Sequence, residues 1–369
     1  MSLRARLTIE FRVCQRRNRL RNRLMTEPET RRRRGATLAD VAASAGVSAS
    51  TASRALNGRG ELSTATRTAV LEAAERLGFS PSPLARSLRT RQTYTVGFVV
   101  PDVASPFYAA SLKGAQAVLE AAGYRVMLMD SEQSVEGEAA ALRTLVNHQV
   151  DGLLVATAGV DAAVFEDAVG DEPTPCVFLD SVVDGVGVGA VTLENAAGID
   201  LLVEHLREHG HTRIALIAGS QQETSGRERL EAFVAAVERA GADTADELVR
   251  ACPWTQEAGA EQARQLLALD RPPTAIVAAS VELGLGCLAV CRELGLALPD
   301  ELALVTFDDP YFGALLEPSL TAVGYDTSEV GRAAARLLVE AMQSERPVRR
   351  EVRVPVTLVR RRSCGCEVP

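Results

Sequence analysis

Apolar residues recur along this chain with two different periods. Near the amino terminus, Leu38, Val41, Ala42 and Ala45 fall at the spacing of one short helix. Ala52, Ala55 and Leu56 mark a second, and Val70, Leu71, Ala74 and Leu77 a third. The polar punctuation agrees: Thr37-Leu-Ala-Asp40 has the form of a capping box, Gly46 can take the positive φ of a tight turn, and Ser48 can cap a helix from about Ala49 to Leu56. The third helix runs from about Thr64 to Leu77 and is stopped by Gly78. Two short helices joined by a glycine turn and closed by a third predict a helix-turn-helix head. Its second helix turns Ala52, Ala55 and Leu56 inward and leaves Ala49, Ser50, Ser53 and Arg54 outward. Such small, polar side chains allow a helix to lie close in the ~12 Å major groove of DNA.

The next segment, Phe79 to Arg89, carries Pro83 where the first turn of a short helix would accept it. A helix under ~12 residues is marginal alone, so this one is expected to order against DNA or a partner copy. From Tyr94 onward the period alternates. Strand-like runs at Thr95–Val100, Arg125–Met129, Gly152–Val155, Cys176–Leu179, Arg213–Ile217, Ala275–Ala278 and Leu302–Thr306 are interleaved with helical stripes. The stripes lie at Pro106–Ala122, Val135–His148, Glu194–His209, Arg227–Ala240, Gln256–Leu269 and Glu282–Leu294. Repeated βα units predict parallel sheets covered by helices, here two open sheets with a cleft between two lobes. The expected fold is therefore an all-α head followed by a two-lobed α/β core.

Composition sharpens this picture at one point only. The 369 residues carry a net charge of -8, yet residues 1–92 hold 19 arginines against 7 acidic residues, leaving 21 basic and 41 acidic residues for the rest. A basic head on an acidic body points to polyanion contact through one end. With 47% hydrophobic and 24% charged residues the chain is globular, and no apolar run reaches the ~20 residues of a membrane span. Seven scattered cysteines fit a reducing compartment, hence the cytoplasm, better than a disulfide framework. Residues 1–34 are Arg-rich and lack a secretory h-region. They read as a disordered extension from an over-long start, with Met25 the alternative initiator; a basic DNA-binding arm is the functional alternative.

Specific motifs then carry a resemblance. Thr37-Leu-Ala-Asp-Val-Ala42, Ala45-Gly-Val-Ser-x-x-Thr-x-Ser-Arg-x-Leu-Asn57 and Pro81-x-Pro-Leu-Ala-Arg-Ser-Leu88 resemble the head and hinge of the lactose-repressor (LacI/GalR) family. Val99-Val-Pro-Asp-x-x-x-Ser-Pro-Phe-Tyr108, Val150-Asp-Gly-Leu-Leu154, Gly226-Arg-Glu-Arg-Leu230 and Phe307-Asp-Asp309 resemble its periplasmic-binding-protein-like core. The resemblance implies a head at 35–80, a hinge at 81–92 and an effector-binding and dimerisation domain at 93–369. Within the last, it implies one lobe at about 93–192 and 323–345 and another at about 193–322 and 346–369. It implies a homodimeric transcriptional regulator, a repressor, binding a roughly palindromic double-stranded operator under control of a small-molecule effector.

The DNA-contacting set so implied is Thr37, Ser48, Ala49, Ser50, Thr51, Ser53, Arg54 and Asn57, with Ala85 and Leu88 of the hinge in the minor groove, where an apolar wedge can kink the duplex. The effector set is Ser105, Phe107, Asp130, Ser181, Arg227, Trp254, Ser280 and Asp308. An aromatic face with Arg and Asp partners suits a sugar or a nucleoside. Ser181, Ser280-Val281 and Gly324-Tyr325-Asp326 depart from the family pattern, removing charged and amide groups from the expected cleft. That leaves room for a less polar effector, or for a protein partner in its place. A solute-binding protein is the rival from another class, disfavoured by the missing signal peptide and by residues 37–90.

No GxGxxG or Walker A pattern follows a strand, and no Ser/His/Asp order or catalytic carboxylate pair can be drawn, so neither enzyme nor cofactor is expected. His205, His209 and His211 lie close together, but Gly210-His211 fits a helix end and His205 an amphipathic face. Cys364-Gly-Cys366 offers too few thiols for a zinc site, so no metal is expected either.

Overall fold

A computed structural model describes residues 36–56, 61–79, 92–170, 174–344 and 346–366. The Arg-rich extension, Asn57, and the hinge positions Ala85 and Leu88 lie outside the described residues. The chain divides into two compact units, one ending at Arg86 and the other beginning at Ser87.

In the first unit the three expected helices form: α1 (Leu38–Ser44), α2 (Ala49–Leu56) and α3 (Thr64–Arg76). Thr37 Oγ1 accepts from the Asp40 N–H at 3.3 Å while the Thr37 N–H donates to Asp40 Oδ2 at 2.8 Å, completing the capping box. Gly46 makes the turn at φ +65, and Ser48 Oγ caps α2 by accepting from the Thr51 N–H at 3.1 Å. Val41, Ala42, Ala52, Ala55, Val70, Ala73 and Ala74 form the core. Leu71 and Leu77, expected inside, are 49% and 39% exposed. The buried stripe of α3 follows Val70, Ala73 and Ala74, which leaves Leu71 about 100° off it and Leu77 on the cap beyond the last turn.

The second unit holds two six-stranded sheets. The first contains β1 (Thr95–Val100), β2 (Arg125–Asp130), β3 (Gly152–Val155), β4 (Cys176–Leu179) and β5 (Gly189–Leu193). Among them lie α4 (Pro106–Ala121), α5 (Val135–Asn147) and α6 (Ala162–Val169). After β5 the chain enters the second lobe through α7 (Asn195–Glu208), β6 (Ile214–Ala218), α8 (Thr224–Arg239), β7 (Val249–Ala251), α9 (Gln256–Leu267), β8 (Ala275–Ala278), α10 (Val281–Leu294), β9 (Ala303–Phe307) and β10 (Thr321–Gly324). It then returns for α11 (Thr327–Gln343) and β11 (Glu351–Val354), and crosses once more for β12 (Thr357–Val359).

The sheet orders are β11-β5-β4-β3-β1-β2 and β12-β10-β9-β8-β6-β7, parallel throughout except for the β10–β12 pair. Both repeat the same doubly wound pattern, and central strands such as β4, β6 and β9 are buried along their whole length because helices cover both faces. Two lobe assignments change. β11 belongs to the first lobe, where 346–369 was expected wholly in the second: Glu351–Val354 pairs in parallel with Ala190–Leu193 of β5. The return crossing falls at Tyr325–Asp326, since Thr321–Val323 still pairs with β9. α11 is locked to the first lobe by backbone proximity: a Cβ on Gly331 would stand 1.8 Å from the Ser111 carbonyl oxygen of α4, and one on Gly114 2.0 Å from that of Ser328. Among the described residues no helix is long and apolar enough to cross a membrane.

Candidate functional site

A cavity of about 430 Å³ opens between the lobes, at the carboxyl ends of the strands, where open α/β sheets bind ligands. The segments after β1, β4, β6, β7, β8, β9 and β10 deliver Asp102, Asp180, Ser220, Trp254, Ser280, Asp308 and Tyr325 to its wall. α4 supplies Ser105, Phe107 and Tyr108 from its amino-terminal turn, and Ser105, its N-cap, makes no side-chain capping bond. Asp180 and Asp308, each following the fourth strand of its sheet, sit in left-handed backbone at φ +69 and +70. Asp tolerates this conformation better than most residues, yet it carries strain, and such outliers concentrate at ligand sites.

Charge is the dominant property of this cavity. Asp102, Asp180, Glu223, Glu282 and Asp308 line it with Arg229 as the single lining cation among the described residues. Arg229 is 3% exposed; its Nε donates to Asn195 Oδ1 at 2.9 Å, its Nη1 donates to the Ala279 carbonyl at 2.6 Å, and its guanidinium lies 3.8 Å from the centre of the Phe307 ring. The Trp254 indole N–H donates to Glu223 Oε1 at 2.8 Å, and the Tyr325 hydroxyl donates to Asp308 Oδ1 at 2.5 Å. Burial pushes Glu223 up from 4.5 to about 8, with the Asp180 charge adding to the shift and the Trp254 hydrogen bond opposing it. Burial likewise raises Asp180 from 3.8 to about 6, against the pull of Arg229, and raises Glu282.

These shifts carry a sign. Between its ordinary 4.5 and about 8, Glu223 keeps in the folded chain a proton that the unfolded chain has released. Stability therefore falls as pH rises across that window, and the Asp180 shift acts in the same direction between 3.8 and about 6. We expect a thermal midpoint that declines from mildly acidic to neutral pH, with Glu223→Gln flattening the upper part of the decline. An unchanged slope in the variant would remove Glu223 as its source.

Of the expected effector residues, Ser105, Phe107, Trp254, Ser280 and Asp308 line the cavity. Asp130, Ser181 and Arg227 do not. Asp130 accepts from the N–H groups of Val103 at 3.0 Å and Glu132 at 2.8 Å, which holds the loops after β1 and β2. Ser181 is buried between lobes, where its hydroxyl donates to Ser225 Oγ at 2.8 Å, beside a Val182 N–H donating to Thr224 Oγ1 at 2.9 Å. Arg227 pairs with Asp184 of the other lobe at 2.6 Å, on the outside. The arginine inside is Arg229, two residues and about 200° of helix further on. Its place was readable: Ser225, Gly226, Arg229, Ala232, Phe233, Ala236 and Val237 form one buried stripe on α8, which starts at Thr224 rather than Arg227. Nor is the cleft depleted of charge as the departures at 181, 280 and 324–326 suggested, because Glu223 and Glu282 enter from helix starts that motif comparison passes over.

In the first unit the residues expected to contact DNA differ in exposure. Thr37, Ser48, Ala49, Ser50 and Arg54 are exposed, and Thr51 and Ser53 half-buried. The Ser48 hydroxyl lies 2.8 Å from Ser50 Oγ and 2.9 Å from Thr51 Oγ1, so the first turn of α2 presents a linked hydroxyl cluster with Arg54 one turn on.

Comparison with known proteins converges on the same two units. Residues 37–82 match the model of the lacI family of bacterial regulatory proteins, and residues 203–364 that of the periplasmic binding protein-like domain. The chain is 36% identical to the HTH-type transcriptional regulator CelR of Thermobifida fusca, over 86% of this chain and 96% of that one. It superposes on a lac repressor dimer bound to operator and the anti-inducer ONPF with a TM-score of 0.81 at 27% identity, covering 90% of this chain and 99% of the other. A CelR–cellobiose complex gives a TM-score of 0.68 at 32% identity, with 89% and 99% covered. With the head motif and the two-lobed fold in agreement with these relatives, the chain belongs to the lacI family and is a DNA-binding transcriptional regulator.

Proposed function

We propose that the protein represses transcription by binding a roughly palindromic operator as a homodimer in the cytoplasm, without an enzymatic step, and that a polyhydroxylated effector in the interlobe cavity controls this binding. The observation that carries the effector reading is the convergence of Asp180, Glu223, Glu282, Asp308 and Arg229 with the Trp254 and Phe107 rings around one cavity. Carboxylates accept from hydroxyl groups, the guanidinium donates, and an indole face covers a sugar ring. The CelR–cellobiose complex makes cellobiose the first probe. Ligand in the cavity bears on both lobes, and the contacts Ser181–Ser225, Val182–Thr224 and Arg227–Asp184 tie those lobes at its rim. Coupling of this kind typically amounts to ~1–3 kcal/mol.

On the DNA side the reading assigns residues 35–80 to the head and 81–92 to a hinge, with Ala85 and Leu88 in the minor groove, an assignment that the family resemblance supports. Thr37 and Ser48 sit at helix starts and serve phosphate contacts, and Ala49, Ser50, Thr51 and Ser53 face the major groove. Arg54, at the end of the exposed face of α2, is the one charged side chain of that helix. Arg54→Ala is expected to weaken operator binding by ~1–3 kcal/mol at fixed salt while leaving the fold intact. Mobility-shift titration against fragments from the gene's own neighbourhood tests this, with cellobiose, other sugars and nucleosides then titrated against the complex. Binding that is non-specific and indifferent to Arg54→Ala would overturn the DNA assignment; specific binding unaltered by every ligand would leave the operator reading and remove the effector reading.

A further inference from the structure

The fold brings together two fragments that lie far apart in the sequence. His205 and His209 project from one face at the end of α7, one turn apart, with ring centres 4.5 Å from each other. After β12 the chain makes a single turn at Arg362–Cys364, and Gly365 then reverses it at φ +90, so that Cys364 and Cys366 face the same point. His205 Nε2 is 3.1 Å from Cys364 Sγ and 3.4 Å from Cys366 Sγ. Cys366 Sγ is 3.5 Å from His209 Nε2 and 3.5 Å from Cys364 Sγ.

From these distances we propose that His205, His209, Cys364 and Cys366 form a tetrahedral site for a soft divalent cation of the zinc type, clasping the carboxy-terminal turn to α7. Tetrahedral zinc with bonds of ~2.3 Å to sulfur and ~2.0–2.1 Å to nitrogen separates its donor atoms by about 3.4–3.8 Å. Four of the six donor pairs lie at 3.1–3.5 Å, at or slightly inside those separations, and His205, His209 and Cys366 offer ligand atoms all within 4.8 Å of one another, so closing the tetrahedron asks Cys364 Sγ to swing toward His209. The tautomer of one ligand is already set. His209 Nδ1 is 2.9 Å from the His205 carbonyl oxygen, which can only accept, so the proton sits on Nδ1 and the lone pair on Nε2 faces the sulfurs. Two thiolates and two neutral imidazoles balance a divalent cation, which suits a site where His205 is 2% and Cys364 1% exposed. Binding releases both thiol protons to solvent, and no electron changes hands. Four protein ligands leave no open position, so the site is structural. His211, the third histidine of the run, stays outside, with Nδ1 3.0 Å from Thr274 Oγ1.

The test uses the full chain, reduced, stripped by chelator and reloaded with Zn²⁺ or Co²⁺. We expect one equivalent of either metal per chain to survive gel filtration, the cobalt form showing intense tetrahedral d–d bands and a thiolate-to-cobalt charge-transfer band. Cys366→Ser and His209→Ala, at the more exposed rim of the cluster, fold without the metal. Cys366→Ser should retain at most weakly bound cobalt with about half the charge-transfer intensity, and His209→Ala should lose stoichiometric retention. No retained metal in the reduced parent chain would overturn the site, as would a cobalt spectrum without thiolate character. Retention unchanged in both variants, or thiols isolated as a Cys364–Cys366 disulfide under reductant, would overturn it equally.

Discussion

Arg229→Ala is expected to abolish the response to effector and to lower the stability of the second unit by about 3 kcal/mol, whereas Arg227→Ala changes stability by less than about 1 kcal/mol. The contrast comes from what each guanidinium touches. Truncating Arg229 leaves Asn195 Oδ1 and the Ala279 carbonyl without their buried donors and strips the Phe307 face of its cation. It also removes the positive charge that holds Asp180 and Glu223 down, so both carboxyls rise further. Arg227 loses a pair with Asp184, whose side chain is 77% exposed, and bonds to the Gln221 and Gln222 carbonyls at the cleft rim, which water can replace. Urea unfolding of both variants, followed by calorimetry of the ligand found for the parent chain, separates the cases. Equal losses would mean that the cavity places no special demand on Arg229.

Gly219→Ala is expected to weaken effector binding by ~10- to 100-fold, although the substitution adds one methyl group and touches no polar atom. A Cβ at residue 219, immediately after β6, would stand 2.0 Å from the Trp254 ring. The six-membered part of the indole cannot bend away, so the whole ring must leave its place, and with it the hydrogen bond to Glu223 Oε1. Trp254→Ala should give a loss of the same size. The double variant should be no worse than Trp254→Ala alone, because the added methyl has nothing left to displace. Additive losses would locate the effect of Gly219→Ala in the backbone rather than in the indole.

Much of this was legible in the chain itself. The capping box at Thr37 and Asp40, the glycine turn at Gly46 and the cap at Ser48 act over three or four residues, so local sequence determines them and the head forms with its expected boundaries. Buried strands such as Thr95–Val100 and Ala275–Ala278 announce themselves as apolar runs, because covered parallel sheets need them. Five of the residues that the motifs offered for the effector, Ser105, Phe107, Trp254, Ser280 and Asp308, line the cavity.

Distant segments decide the rest. Ser181, Asp130 and Arg227 carry suitable chemistry, but whether such groups face a ligand or a neighbouring loop depends on partners 27 to 44 residues away. The choice between Arg227 and Arg229 is a matter of helix phase against a core that exists only once the lobes have packed. β11 returns to the first sheet because an unpaired edge beside β5 is there to receive it, a circumstance its own four residues do not record. The sequence by itself determined the elements and the head, since these follow from interactions between near neighbours. Only the tertiary structure decided which charges share the cavity, and that two histidines and two cysteines separated by 155 to 161 residues meet at one point, because chain reversal and packing set those distances.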